Sequence, residues 1–411
     1  MSAENRPHRR ILVITYGPLS GVRDSLIAAL RRHGCEVIEA PNTLRGLRLR
    51  YLYVALICIN ALFVYGARYR RYLDRTWAAQ WARGRANQAL VDRHQNISAV
   101  ISLMPIPNHT VRRRGISYAI YIDHVNLLSK RAPDFGVRFP EQDVAASWNR
   151  YERRALCDQD HVFTPSKYVE RSLIEDYSVP PEKISVVGGG PNLNVDCERD
   201  RIVKDFDNHR ILFVGLDPVR KGLPQLLEAF EKVIGRVPDA HLDVVGIEGK
   251  NARNVSYHGQ LHGDALRKLF YQSQIFVMPT LREPFGVVFL EAMWAKTVCI
   301  GTRIGAIPEI IEDGVTGFLV EPNNIVELAD RMIELLSDRE RWRRMSDAAY
   351  GAAKTKWTWN LSAKQILESL FPHDNAHSGA ANGERSYLDR TVAGRRLSTN
   401  GVGQNGTKSD Q

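Results

Sequence analysis

Residues 10–16, Arg-Ile-Leu-Val-Ile-Thr-Tyr, are a short apolar run followed by a glycine-bounded turn at 17–21 and a helical stretch, 22–33, that stops at Gly34. An apolar run of this length between turn signals reads as a buried strand. Residues 35–40 follow as a second strand. The same opening returns at 210–215, Arg-Ile-Leu-Phe-Val-Gly, with a loop at 217–222 and a helix over 223–233. Strands without polar alternation, joined through helices, belong to parallel sheets covered on both faces. Two such openings in a chain of 411 residues, too long for one ordinary core, predict an α/β protein of two Rossmann-like domains.

Composition bounds the class. An apolar content of 44% with 25% charged residues is that of a globular chain. Cys35, Cys58, Cys157, Cys197 and Cys299 are scattered without a C-x-x-C pair, so neither a disulfide framework nor a zinc site is expected, and a reducing compartment is. Residues 1–10 are polar and lead straight into a strand, without the apolar segment of a signal peptide. A cytoplasmic location is therefore expected.

The charge is uneven. Residues 1–115 hold 19 Lys and Arg against 6 Asp and Glu, within a chain of net charge +10. A basic N-terminal region suits an anionic partner: a phospholipid surface, a phosphorylated acceptor or nucleic acid. No nucleic-acid-binding module is recognisable, so no nucleic-acid partner is expected. Within this region, 51–67 is 17 residues without a charge, between Arg45, Arg48 and Arg50 on one side and Arg68, Arg70 and Arg71 on the other. That length is the lower edge of a membrane-spanning helix. A span would put the first two strands and the rest of their sheet on opposite sides of a bilayer, and is rejected. Two readings stay open for 44–93: a long helix packed on the sheet, or an interfacial helix on the inner face of the cytoplasmic membrane.

Further strands are predicted at 97–104, 117–124, 161–166 and 184–187, before the loop Gly188-Gly189-Gly190-Pro191-Asn192. The strand at 117–124 ends in Asp123-His124, and strand C-termini line the ligand crevice of such sheets. In the second domain, 241–246 is a strand ending at Gly246, and 273–278 is another. Arg220-Lys221-Gly222 sits where a strand hands over to a helix. Two cations beside a helix N-terminus form a phosphate site: a planar fork, a point charge and a partial positive charge. After the strand at 273–278 come Pro279, a loop carrying Glu283, Phe285 and Gly286, and a helix from Val287 that carries Glu291. A carboxylate there suits sugar hydroxyls better than phosphate.

Glu283-Pro284-Phe285-Gly286 followed by Glu291-Ala292-Met293 closely resembles the Glu-x7-Glu signature of retaining GT-B glycosyltransferases of family 4. The resemblance continues through residues 305–322 and through Arg220-Lys221-Gly222. It implies two Rossmann-like domains facing a cleft, with a C-terminal helix crossing back to the first. The expected boundaries are 1–190 for the acceptor domain, 191–356 for the donor domain, 357–371 for the crossover helix and 372–411 for a disordered tail. The resemblance implies that Glu283 contacts the donor sugar near the reacting centre and that Glu291 binds ribose. Arg220 and Lys221 would bind the diphosphate. Phe285, Gly286, Gly246 and Leu261 would line the donor site, with Leu261 beside the base. The first loop, Gly17 to Gly21, would approach diphosphate and acceptor. His124, and after it Asp123, would face the reacting sugar from the first domain. The chain departs from the pattern at 294–300, at Gly305-Ala306, and at Gly190-Pro191-Asn192, where the family has a small-residue loop followed by an Asp.

The expected reaction is transfer of a sugar from a nucleotide diphosphate sugar to a lipid-linked or envelope-glycan acceptor. No cofactor and no metal are expected. Asp158-Gln159-Asp160 is a D-x-D, but it follows a polar helix outside the donor domain. Two alternatives stand beside this reading. One is a sugar-nucleotide epimerase or phosphorylase of the same fold. The other is a non-catalytic, membrane-peripheral partner of a glycan-assembly complex.

Overall fold

The computed structural model of the chain describes residues 9–16, 21–44, 50–103, 111–131 and 144–372. The first sheet holds β1 (Arg10–Thr15), β2 (Glu36–Pro41), β3 (Ala99–Leu103), β4 (Ser117–Tyr121), β5 (His161–Thr164) and β6 (Ile184–Val186). Its order is β2-β1-β3-β4-β5-β6, parallel throughout. Ile11, Leu12, Val13 and Ile14 are fully buried, as a strand covered on both faces requires. The helices of this half are α1 (Val22–Arg32), α2 (Arg50–Tyr65), α3 (Trp77–Arg93), α4 (Asn126–Arg131), α5 (Ala146–Cys157) and α6 (Lys167–Glu175). The strand expected at 117–124 runs only to Tyr121: Ile122 N–H still donates to the Phe163 carbonyl of β5, and the chain then turns toward α4. Asp123 and His124 therefore lie in the turn, not on the strand.

The second sheet holds β7 (Arg210–Val214), β8 (His241–Val245), β9 (Val255–Tyr257), β10 (Ile275–Met278), β11 (Val298–Thr302) and β12 (Gly317–Val320). Its order is β12-β11-β10-β7-β8-β9, again parallel. Around it lie α7 (Leu223–Ile234), α8 (Gly263–Gln272), α9 (Val287–Trp294), α10 (Ile307–Ile310), α11 (Ile325–Ser337) and α12 (Arg339–Lys356). After α12 the chain passes Trp357 and enters α13 (Trp359–Leu370), which packs on α1 of the first half. Trp359 Nε1 donates to Asn192 Oδ1 at 3.0 Å, and His33 Nε2 lies 3.0 Å from the Asn360 carbonyl. Residues 373–411, expected as a tail, lie outside the described residues. The five cysteines are not joined by disulfides.

Between β2 and β3 runs a helical hairpin: α2, a tight 3₁₀ segment (Gly66–Arg75) and α3. The inner helix, α3, takes the sheet face, with Val91 packed beside Leu12 and Ile14 and Asn87 accepting from the Tyr16 hydroxyl. The outer helix, α2, rests on the 3₁₀ segment and α3, so it does not pack on the sheet. Its apolar side chains face outward: Phe63 is 91% exposed, Tyr51 75% and Ile59 65%. Arg50–Arg93 contains a stretch long and apolar enough to cross a membrane by length and composition. Yet β1 pairs with β2, which precedes the hairpin, and with β3, which follows it, so a crossing would tear the sheet.

The two halves meet through a carboxylate that sequence reasoning did not single out. Glu309 of α10 accepts the N–H groups of Lys167 and Tyr168 at 2.8 and 2.7 Å, while Ser166 Oγ accepts from Val169. The open donors at the N-terminus of α6 are thus filled partly from the other sheet. Glu309→Ala is expected to cost about 1–2 kcal/mol in chemical denaturation, the range of a lost cap, and to raise proteolytic cleavage around α6.

Candidate functional site

The site forms where β7 and β10 end side by side in the second half. Both strands are apolar and buried, and both hand over to a helix through a glycine in the left-handed region: Gly222 (φ 77°) before α7 and Gly286 (φ 98°) before α9. At Gly222 the requirement is also one of space. A Cβ there would stand 2.0 Å from the Pro279 carbonyl oxygen, so the loops after β7 and β10 touch backbone to backbone. Gly305 closes the other side, where a Cβ would stand 1.9 Å from the Glu283 carbonyl oxygen.

Hydrogen bonds lock these loops together. The Arg220 carbonyl accepts from Leu281 N–H at 2.8 Å and from Thr280 Oγ at 2.7 Å, and Thr302 Oγ donates to the Thr280 carbonyl at 2.6 Å. Arg220 Nη1 donates to the Arg282 carbonyl at 3.0 Å and lies 3.7 Å from Glu283 Oε2. Lys221 Nζ donates to the same carboxylate oxygen, and both partners are only 8% exposed. Glu283, Arg220 and Lys221, expected together, thus stand together as a buried ion pair with a guanidinium at its edge.

Glu291 lies one turn into α9. Its Oε1 accepts the N–H groups of Asn192 and Leu193 at 3.2 and 3.0 Å, in the segment joining the two sheets. Burial pushes its carboxyl up to about 7, against the pull of those two donors. Phe285 is buried, with its ring 5.7 Å from that of Trp357 and close to Gly189. Gly21 abuts Asn192, where a Cβ would meet its side chain at 2.7 Å. Gly17 lies outside the described residues.

From the first half, Asp123 faces this group. Burial, and after it the Glu283 charge, raises its carboxyl to about 6. His124 points its Nε2 at Ser129 Oγ of α4, 2.7 Å away, within the first half. Gly246 and Leu261 sit further along the second sheet. Gly246 N–H donates to the Gly259 carbonyl at 2.7 Å, and Leu261 is half-buried against the core. Among the described residues no three His, Cys, Asp or Glu side chains converge as a metal cluster. In the D-x-D segment, Asp160 Oδ2 instead accepts from Tyr118 N–H at 2.8 Å and pairs with Arg112.

Sequence reasoning missed the grip of Glu291 on the linker, the Glu309 contact, and a buried pair behind Asp123. That pair is Glu152 of α5 and Tyr177. Glu152 accepts from Asn126 N–H at 3.1 Å and from the Tyr177 hydroxyl, which itself accepts from Leu127 N–H at 2.9 Å. One signal was present: Glu152 falls on the same helical face as Trp148, Ala155 and Leu156, an acid on an apolar stripe.

Two facing parallel sheets with a returning C-terminal helix constitute the GT-B glycosyltransferase fold. Residues 24–195 match the family model described as Glycosyltransferase Family 4, and residues 195–352 match that of Glycosyl transferases group 1. The chain thus has the domain make-up of a glycosyltransferase. Among solved structures, a glycosyltransferase of Rickettsia africae superposes with a TM-score of 0.63 at 18% identity, over 89% of this chain and 98% of that one. A protein of Anabaena in complex with UDP and glucose superposes with a TM-score of 0.59 at 16% identity, over 88% and 99%. At such identities the likeness is one of fold. Among sequences, an uncharacterised glycosyltransferase of Methanocaldococcus jannaschii is 29% identical over 228 residues, 50% of this chain and 58% of its own length. The D-inositol 3-phosphate glycosyltransferase of Corynebacterium aurimucosum is 28% identical over 253 residues, 54% of this chain and 60% of its own length. The match thus spans less than two thirds of these relatives.

A buried pair that loses one partner leaves an uncompensated charge, which typically costs about 3–5 kcal/mol. Lys221→Met and Glu283→Leu are each expected to destabilise on that scale in urea denaturation. The double variant is expected to cost clearly less than the two together, and simple additivity would mean that the pair is not coupled.

Proposed function

We propose that this protein is a retaining glycosyltransferase that moves a sugar from a nucleotide diphosphate sugar to a lipid-linked or envelope-glycan acceptor. The observation that carries the reading is the buried Lys221–Glu283 pair, with Arg220 beside it at the N-terminus of α7 and Asp123 opposite. As the donor bond breaks, charge grows on the leaving diphosphate. Arg220, the remaining N–H groups of Lys221 and the N-terminus of α7 are preorganised cations and dipoles for that charge, and the proposed reaction draws on no metal. Glu283, fixed by Lys221, accepts from the sugar hydroxyls and offsets positive charge at the anomeric carbon, as carboxylates do in glycoside cleavage. Asp123 bounds the same space from the acceptor side, and His124 follows it in the same turn with its Nε2 held by Ser129. Glu291 accepts from the ribose hydroxyls. The solved Anabaena relative, in complex with UDP and glucose, supports a donor of this class.

The acceptor side carries a second element of the proposal. Helix α2 presents Tyr51, Ile59 and Phe63 outward, with Arg50 at one end and Arg68, Arg70 and Arg71 beyond the other. Apolar side chains flanked by arginines fit the headgroup boundary of an anionic bilayer, so the protein is proposed to work as a peripheral protein on the inner face of the cytoplasmic membrane.

Two measurements test these statements. In a thermal-shift panel of GDP-, UDP- and ADP-sugars, one base is expected to stabilise the wild type by ~2.7 kcal/mol at about 100 times its dissociation constant. Lys221→Ala and Glu291→Ala are expected to abolish that shift, and no shift with any nucleotide would overturn the donor assignment. The sign with pH follows from the raised Glu291 carboxyl. The ionised form is the acceptor of ribose hydroxyls, so nucleotide affinity weakens as pH falls through about 7, and Glu291→Gln flattens this dependence. In flotation with phosphatidylglycerol-containing vesicles at moderate salt, the wild type is expected to rise with the lipid and Ile59→Glu/Phe63→Glu to stay below. Failure of the wild type to float would remove the membrane assignment.

A further inference from the structure

The exposed hairpin and the cleft are joined by one side chain. Arg75 closes the 3₁₀ segment between α2 and α3, and its Nη1 donates to Asn126 Oδ1 at 2.9 Å. Asn126 is buried and is the first residue of α4, two positions after His124. The first N–H groups of a helix have no partner within it. Here Asn126 N–H donates to Glu152, and Leu127 N–H donates to Tyr177 Oη at 2.9 Å. The Asn126 amide also donates to Asn149 Oδ1 at 2.6 Å. Every polar group at the start of α4 is thus oriented, and α4 in turn fixes the path of the Asp123–His124 turn.

The other end of the tie lies in the hairpin. The Tyr65 hydroxyl, on the last residue of α2, donates to the Arg75 carbonyl at 2.9 Å and accepts from Ala145 N–H at 3.4 Å. Tyr65 stacks on Tyr72 at 4.5 Å, and Tyr72 packs with Val144 and Trp148. The Arg75 guanidinium lies over the Trp148 ring at 5.8 Å. Burial raises the Glu152 carboxyl to about 7, against the pull of the Tyr177 hydroxyl, the Asn126 N–H and, last, the Arg75 charge. Arg75 therefore meets Asn126 and Trp148 at once, on the segment that follows the exposed helix.

We propose that Arg75 is a positioning residue through which the apolar hairpin sets the Asp123–His124 turn on the acceptor side of the cleft. This rests on the reading of that turn as part of a sugar-transfer site. The tie itself is independent of that reading and has its own readout.

Hydrogen exchange at the amides of Asn126 and Leu127 reports the tie without substrate. Arg75→Met is expected to speed exchange of these two amides ~10-fold, with peptides covering residues 283–293 unchanged and Arg75→Lys close to wild type. Tyr65→Phe, which leaves the Arg75 side chain intact, is expected to give the same change at smaller amplitude. Unchanged exchange in Arg75→Met overturns the proposal. With the nucleotide sugar that stabilises the wild type in the panel above, Arg75→Met is expected to lower kcat ~10-fold at unchanged donor KM, with rescue by Arg75→Lys. Faster exchange with kcat intact would also overturn it, because the residue would then only stabilise the fold. Loss of donor KM instead would place the effect in the other half and overturn it too. If no nucleotide sugar is turned over by the wild type, the sugar-transfer reading fails, and the tie is decided by exchange alone.

Discussion

Two charges removed from water and set against each other, Lys221 and Glu283, hold the donor half in its working shape. The pair bridges the loops after β7 and β10, alongside the hydrogen bonds that the Arg220 carbonyl and guanidinium make to the second loop. Gly222 and Gly305 make the approach sterically allowed, and the Arg220 carbonyl gathers the donors that fix it. Breaking such a pair leaves a buried charge without compensation, so the local structure and the proposed diphosphate contact would be lost together. Two opposite charges at contact also make a site that is neutral on balance yet full of directed dipoles, which suits a ligand whose charge moves during reaction.

Much of this was legible in the sequence, and the reasons are specific. The apolar runs at 10–16 and 210–215 fixed two parallel sheets because strands covered on both faces cannot hide their composition. The helix start at Val287, the Ser166 cap and the Arg220-Lys221-Gly222 loop are local signals, and they fell where read. What stayed hidden is long-range. Glu309 meets Lys167 and Tyr168 some 140 residues away, and Glu291 meets Asn192 about 100 residues away. No spacing rule connects such positions. The strand before Asp123-His124 was read too long because its side chains remain apolar to Ile122, whose N–H still bonds the neighbouring strand before the chain turns away. The hairpin was ambiguous for a different reason. Composition shows that α2 is apolar but not which surface it faces, and only α3 filling the sheet face decides that.

The first half carries its polar groups differently. Its cleft-facing turn is backed by Glu152 and Tyr177, with Arg75 reaching in from the hairpin. Glu152 and Tyr177 are buried and hydrogen-bonded to each other, and Arg75 is half-buried against Asn126, so they act on shape and not on charge at the cleft surface. The second half carries a buried ion pair at its loops; the first half sets a turn.

Glu291 has a consequence for anyone redesigning the protein. Its carboxylate holds the segment that joins the two sheets, through the N–H groups of Asn192 and Leu193. A substitution made to probe the proposed nucleotide contact would free that segment in the same stroke, and an altered ligand response would be confounded with an altered linker. In the proposed reading Leu261, half-buried against the core of the second sheet, is the position where selectivity can be varied without touching that carboxylate.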